Sequence, residues 1–139
     1  IYASETWKVT STISKKLDVF HQRCLRKILK ISYRDHITNT AVLQRAQSRR
    51  LQDIETERRM RLARHIFCMP DQRHAKAAFR WEPPGRKRKR GRPKTTWHRF
   101  FKADIAVINR KWENIKREAT DRDQWRLLSA QCATSRRMD

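Results

Sequence analysis

The chain has 139 residues, 35 of them Lys or Arg and 14 Asp or Glu, for a formal net charge of +21. That length suits one domain or two very small ones, because a self-supporting core usually needs on the order of 100 residues. No uninterrupted apolar run approaches the roughly 18 residues of a membrane-spanning helix. Solubility alone asks for a net charge of only about 2 to 8. The surplus therefore points to relief by a polyanion, with nucleic acid expected ahead of acidic lipid or an acidic protein.

The opening residues, Ile1-Tyr2-Ala3-Ser4-Glu5, carry neither an initiator Met nor a basic region feeding an apolar run, and read as a piece of a longer chain rather than a secretory precursor. Helical periodicity begins near Thr12 and runs to Ile31. Ile13, Leu17, Phe20, Cys24, Ile28 and Ile31 form an apolar stripe widened by Leu25 and Leu29, with Ser11 or Thr12 as cap. Arg23, Arg26, Lys27 and Lys30 fall largely on other faces. They are candidate phosphate contacts, and a merely solvated basic face is the alternative. Residues 32–39 read as a connection, followed by a short helix from Thr40 to Gln47 capped by Asn39. The next helix is expected from Leu51 or Gln52 to Met69, stopped by Pro70. Its stripe is Leu51, Ile54, Arg58, Leu62, Ile66 and Met69, with Met60, Ala63 and Phe67 beside it. Glu55 and Glu57 are expected to pair with Arg58, Arg59 and Arg61, leaving less charge there for a ligand.

The segment 75–81 is ambiguous between a helical turn and a short strand. Pro83, Pro84 and Gly85 then break the pattern before a basic tract. Helices are expected again from Thr95 or Thr96 through Ile108, around Trp112 to Ala119, and from Arg122 to Ala133. Asp121 with Gln124 forms a candidate capping box for the last of these, with Thr120 and Asp123 as competitor. Neither an internal repeat nor a sheet pattern is present. The expected fold is all-α, a small helical bundle or two helical clusters joined by an extended basic linker. Its divisions are 1–84, 85–94 and 95–139.

The charge is unevenly placed. Residues 1–50 hold 11 basic and 3 acidic groups, and residues 85–99 hold 8 basic groups and no acid. Arg86, Lys87, Arg88, Lys89, Arg90, Gly91, Arg92, Pro93 and Lys94 include seven cations in nine residues, a density no compact core accepts. Five to seven engaged phosphates would give a log–log salt slope of roughly −4 to −6 on duplex DNA. Gly91 removes side-chain bulk, and Pro93 biases Arg92 toward an extended backbone. The Arg90-Gly91-Arg92-Pro93 core thus resembles an AT-hook, the minor-groove peptide of chromatin proteins. Sequence-independent phosphate binding and a nuclear-import signal remain open beside that reading.

Of the five Trp residues, Trp97, Trp112 and Trp125 lie on apolar stripes and are expected in the core. Trp81, beside the Pro-rich break, is the best candidate to stack on a base, with Tyr33 and Arg34 a weaker pair. His65, Cys68 and His74 lack the four ligands of a structural zinc site, so no metal site is expected. Three widely spaced Cys make no disulfide framework and fit a reducing compartment. The acids are too scattered for a two-metal centre, and no nucleophile or phosphate-cradling motif appears. No catalytic residue is assigned.

Taken in order, several words resemble the region beyond the polymerase palm in non-LTR (LINE-type) retrotransposon reverse transcriptases. They are Tyr2-Ala3-Ser4-Glu5-Thr6-Trp7, Phe20-His21-Gln22-Arg23-Cys24-Leu25-Arg26-Lys27-Ile28-Leu29 and Arg58-Arg59-Met60-Arg61-Leu62-Ala63-Arg64-His65-Ile66. The Met69-Pro70 pair, Arg73, Arg90-Gly91-Arg92-Pro93-Lys94-Thr95-Thr96-Trp97 and Asp121-Arg122-Asp123-Gln124-Trp125 extend the match over nearly the whole chain. Family members often carry Gly where Ala3 stands, Trp at Leu62 and Gly at Arg64. The resemblance implies a non-catalytic, nuclear, carboxy-terminal part of an endonuclease and reverse-transcriptase polyprotein, with 1–84 thumb-like. DNA, RNA or an RNA–DNA hybrid and the upstream polymerase domain are the implied partners, and no membrane. It implies no cofactor for this piece, and Mg2+ for the parent polymerase. The alternative is a basic protein-interaction or nuclear-import module from a truncated or retained copy.

Overall fold

A computed structural model describes residues 2–7, 9–81 and 96–135. The described residues form seven α-helices and two 3-10 turns, with no strand, so the fold is all-α. The helices are α1 (Ser11–Ile28), α2 (Asn39–Arg45), α3 (Leu51–Cys68), α4 (His74–Arg80), α5 (Trp97–Val107), α6 (Trp112–Glu118) and α7 (Arg122–Ser135). The 3-10 turns span Ser4–Thr6 and Tyr33–Asp35. The ambiguous segment before Trp81 resolves as the helix α4.

Starts and stops follow local chemistry. Thr10, one residue before the expected cap, accepts the Ile13 amide at 3.3 Å and begins α1. Thr38, not Asn39, caps α2 by accepting the Ala41 amide at 3.3 Å. Met69 turns extended (φ −68°, ψ 150°) ahead of Pro70, the restriction proline places on its predecessor, and α3 ends there. Asp121 Oδ1 caps α7, accepting the amides of Asp123 at 2.9 Å and Gln124 at 3.1 Å. The return bond of a capping box is replaced, since the Asp121 amide donates to Glu118 O at 3.2 Å.

Three helix ends share one device that composition hid. After α1, α2 and α5, the residues Lys30 (φ 53°), Gln47 (φ 48°) and Asn109 (φ 54°) adopt the left-handed conformation. The following amides, of Ile31, Ser48 and Arg110, reach back to Arg26 O, Leu43 O and Ile105 O at 2.9–3.1 Å. This is the Schellman closure, which usually places Gly at the left-handed position. Both glycines of this chain, Gly85 and Gly91, lie elsewhere.

Helix α3 is the hub, packing against α1, α4, α5, α7 and the Ser4–Thr6 turn. The main core joins its Met60 and Ala63 to Phe101 and Ile105 of α5, Ile115 of α6, Ala119, and Trp125, Leu128 and Cys132 of α7. Elements on both sides of residues 82–95 thus share one core. Trp125 is buried within it, and Trp97 and Trp112 pack against it at its edge, as the stripes implied. Phe67 anchors the aromatic contacts, with Phe79, Phe101, Trp112 and Trp125 centroids 5.6–6.3 Å away. The Trp125 indole N–H donates to Met60 O at 2.9 Å, and that of Trp97 to Glu5 O at 2.7 Å, tying the amino-terminal turn to α5.

Two stripes differ from expectation. On α1 the most buried residue is Ser14, whose Oγ accepts from the Gln52 side-chain amide, while Phe20 and Ile28 are 64% and 74% exposed. The helix leans on α2 and α3 by a narrower face than its apolar residues suggested. On α3 the buried residues are Asp53, Glu55, Thr56, Arg59, Met60 and Ala63, whereas Leu51, Ile54, Leu62 and Ile66 are half-buried. A helix surrounded by several partners buries polar groups when these find partners of their own. Arg59 Nη1 meets Asp104 Oδ2 of α5 at 2.7 Å, with both side chains almost wholly buried. The expected pairing of Glu57 with neighbouring arginines is likewise replaced. Glu57 is held from outside the helix by Arg49, whose Nη1 and Nη2 donate to its two carboxylate oxygens at 3.1 and 2.6 Å.

Breaking a buried ion pair from one side leaves the other charge desolvated, at a cost of about 3–5 kcal/mol. Asp104→Ala therefore lowers unfolding free energy by about that much in urea titrations, and the joint replacement R59M/D104L recovers most of it. A loss below about 1 kcal/mol in D104A would show that the pair does not hold the core together.

Candidate nucleic-acid interface

The candidate contacts fall in two groups. Arg86, Lys87, Arg88, Lys89, Arg90, Gly91, Arg92, Pro93 and Lys94 lie outside the described residues, as do Pro83, Pro84 and Gly85. Arg23, Arg26, Lys27, Lys30 and Trp81 are described, and their settings differ.

Arg23, Lys27 and Lys30 are exposed on one strip of α1 and its terminal turn, and the strip extends back to Lys16, seven residues before Arg23. Intervals of seven and four keep Lys16, Arg23 and Lys27 along one side of the 3.6-residue helix, and Lys30 follows as the exposed left-handed residue that closes it. Lys16 was not among the expected contacts, although its spacing is visible in the sequence. Among the described residues, no carboxylate lies within ion-pair distance of any of the four. The only acid within α1, Asp18, instead lines a cavity of about 210 Å3 with Asn39, Thr40 and Leu43. Burial pushes the Asp18 carboxyl above its ordinary pKa, against the opposing pull of Arg50 and His21. Lys27 also sits in the last turn of α1, where the exposed carbonyls favour positive charge. Phe20, exposed beside this strip, adds an aromatic surface.

Arg26 has a different setting. Its Nη2 donates to Ile37 O at 2.7 Å and to Asn39 Oδ1 at 2.8 Å, so it braces the connection into α2. That connection is further fixed by the Ser32 amide donating to Asp35 Oδ2 at 2.6 Å. Tyr33, at its start, is 87% exposed.

Trp81 is 67% exposed and stands immediately after α4. Its position is set by a lysine staple. Lys76 Nζ donates to Phe67 O at 3.1 Å and Met69 O at 2.6 Å, and pairs with Asp71 at 3.1 Å. Arg80, adjacent to Trp81, reaches the same Asp71 oxygen at 3.0 Å. Phe79 packs on Trp97 and His98, leaving the indole of Trp81 outward. Trp97, Trp112 and Trp125 are committed to the core and its edge, and Trp81 is the most exposed indole among the described residues, ahead of Trp7 at 39%.

Cys68 donates to Ala119 O at 3.3 Å, and the buried Cys132 to Asp104 O at 3.5 Å. Among the described residues, no three His, Cys, Asp or Glu side chains gather in a metal-binding group, and no helix is long and apolar enough to cross a membrane. Compared with known protein-family models, curated proteins and solved structures, the chain matches none.

The Lys76 hydrogen bond, followed by the charges of Lys76 and Arg80, holds Asp71 below its ordinary carboxylate pKa of 3.8. A depressed carboxylate contributes stability above its unfolded pKa, and that contribution is lost as pH falls through the folded value. An NMR titration of the Asp71 carboxyl carbon has its midpoint below 3.8, and Lys76→Met moves it upward. An unchanged midpoint in K76M would assign the staple to another residue.

Proposed function

We propose that this chain is a non-catalytic, helical nucleic-acid-binding part of a LINE-type reverse transcriptase. In this reading it works in the nucleus and positions template RNA, primer or target DNA for target-primed reverse transcription by a polymerase domain elsewhere in the parent protein. The observation that carries it is the exposed strip of Lys16, Arg23, Lys27 and Lys30, which meets no carboxylate among the described residues. Cations arranged this way along a helix follow a phosphate backbone and release its counterions on contact. The tract from Arg86 to Lys94 adds the highest charge density in the sequence.

Two further points support the family part of this reading. The resembling words run in order along nearly the entire chain. Ala3, where the family often carries Gly, adopts φ 53° and ψ 23°, a left-handed conformation that glycine takes without steric cost. The division of labour is physical. The strip and the tract neutralise phosphates without reading bases, Trp81 offers one face for stacking, and specificity is left to the partner's shape. Any Mg2+ belongs to the parent polymerase in this reading, not to this piece.

Titration of fluorescent duplex DNA, RNA–DNA hybrid and structured RNA across a salt series tests the proposal. Micromolar or tighter binding appears at low salt. R23Q/K27Q makes the duplex salt slope shallower by about 2, near 0.9 for each phosphate no longer neutralised. Replacing Arg88, Arg90 and Arg92 weakens binding further. Absence of binding to all three nucleic acids would reject the proposal. Loss of nuclear accumulation without measurable affinity would favour an import module instead.

A further inference from the structure

Helices α3 and α7 pack along their lengths but enclose a cleft of about 700 Å3 on their outer side. Arg61, Arg64 and His65 line it from α3, and Arg122 and Arg126 from α7. Residues 61, 64, 65 and 68 share one face of α3, and 122, 126, 129 and 130 share one face of α7, so two strips face each other across the opening. This convergence joins parts of the chain about sixty residues apart, and neither strip stands out as a charge run in the sequence.

The cleft is positive beyond what its own acids offset. Glu57, the carboxylate in its wall, is already held by two bonds from Arg49. Asp123 lies 3.5 Å from Arg126, with both side chains mostly in water, where such a pair contributes little. Arg61, Arg64 and Arg122 have no ion-pair partner among the described residues, and the buried Arg64 Nε has no hydrogen-bond partner either. Guanidinium groups set at close quarters repel one another and present paired N–H donors matched to phosphate oxygens.

We infer that the α3/α7 cleft binds consecutive phosphates of a single nucleic-acid strand, as a second contact surface distinct from the α1 strip. The inference rests on the nucleic-acid-binding reading and locates a further site within it. A concave slot walled by arginines follows one backbone, whereas the convex α1 strip lies against a duplex. The site reads no bases. Trp125 in its wall is only 3% exposed and its N–H is taken by Met60 O, so no indole face is open for stacking. Binding is therefore indifferent to sequence and to the sugar.

The test uses the whole chain and the exposed arginines, R61Q/R122Q, with unchanged helical circular dichroism as the folding control. On fluorescent oligo-dT and oligo-rU, the log–log salt slope becomes shallower by about 1.4, near 0.7 for each single-strand phosphate released. The R23Q/K27Q chain supplies the comparison on duplex DNA. A single-strand slope unchanged in R61Q/R122Q, while R23Q/K27Q still loses slope on duplex, overturns the cleft and leaves the function proposal standing. Inorganic tripolyphosphate supplies an arm independent of nucleic acid. It raises the Tm of the parent chain, and the rise is smaller in R61Q/R122Q than in R23Q/K27Q. Equal rises in the two variants count against the cleft, even where the parent chain binds no nucleic acid and the function proposal fails.

Discussion

The ion pair of Arg59 with Asp104 sets the terms for the rest of the molecule. It lies in the interior, links the hub helix α3 to α5 across 45 residues of sequence, and uses a carboxylate from a chain that has few. With 14 acids against 35 Lys and Arg, each carboxylate taken by the fold leaves cations elsewhere without an internal partner. Glu57 clamps Arg49, Asp71 holds Lys76 and Arg80, Glu118 reaches Arg110, and Asp121 caps α7. These acids hold loops and helix ends in place. Among the described residues, the cations left without an ion pair include Lys16, Arg23, Lys27 and Lys30 on α1 and its terminal turn, and Arg61, Arg64 and Arg122 in the α3/α7 cleft.

Much of the architecture was legible from local chemistry. Pro70 ended α3, Asp121 began α7, and the spacing of Trp97, Trp112 and Trp125 placed them at the core, because these signals act within a turn or two of the chain. The Schellman closures at Lys30, Gln47 and Asn109 were illegible because their usual marker is glycine. The rotation of α1 was illegible for another reason. Apolar residues were more numerous than the neighbours available to cover them, so Phe20 and Ile28 stayed outside while Ser14 went in.

The candidate site divides the same way. Exposure of Arg23, Lys27 and Lys30 followed from their periodicity, whereas the bracing role of Arg26 depended on where Ile37 and Asn39 came to rest. Pairing within α3 was the natural expectation from spacing of three and four, yet Arg59 found Asp104 and Glu57 found Arg49. That exchange leaves Arg61 without its expected partner, beside Arg64 in the wall of a cleft that only the tertiary packing of α3 on α7 creates. Local rules foresee which residues are charged and which helices carry them. Partner choice among charges is a long-range outcome.

Positive charge on this fold exceeds what its own carboxylates offset, and every proposed contact with phosphate depends on that surplus. Thermal unfolding of the intact chain without nucleic acid, followed from low to physiological KCl, tests it most directly. Screening acts mainly on exposed like charges and little on the buried pair, so Tm is expected to rise with salt. A Tm that falls as KCl is added would mean that internal attraction dominates, and would contradict a surface waiting for phosphate.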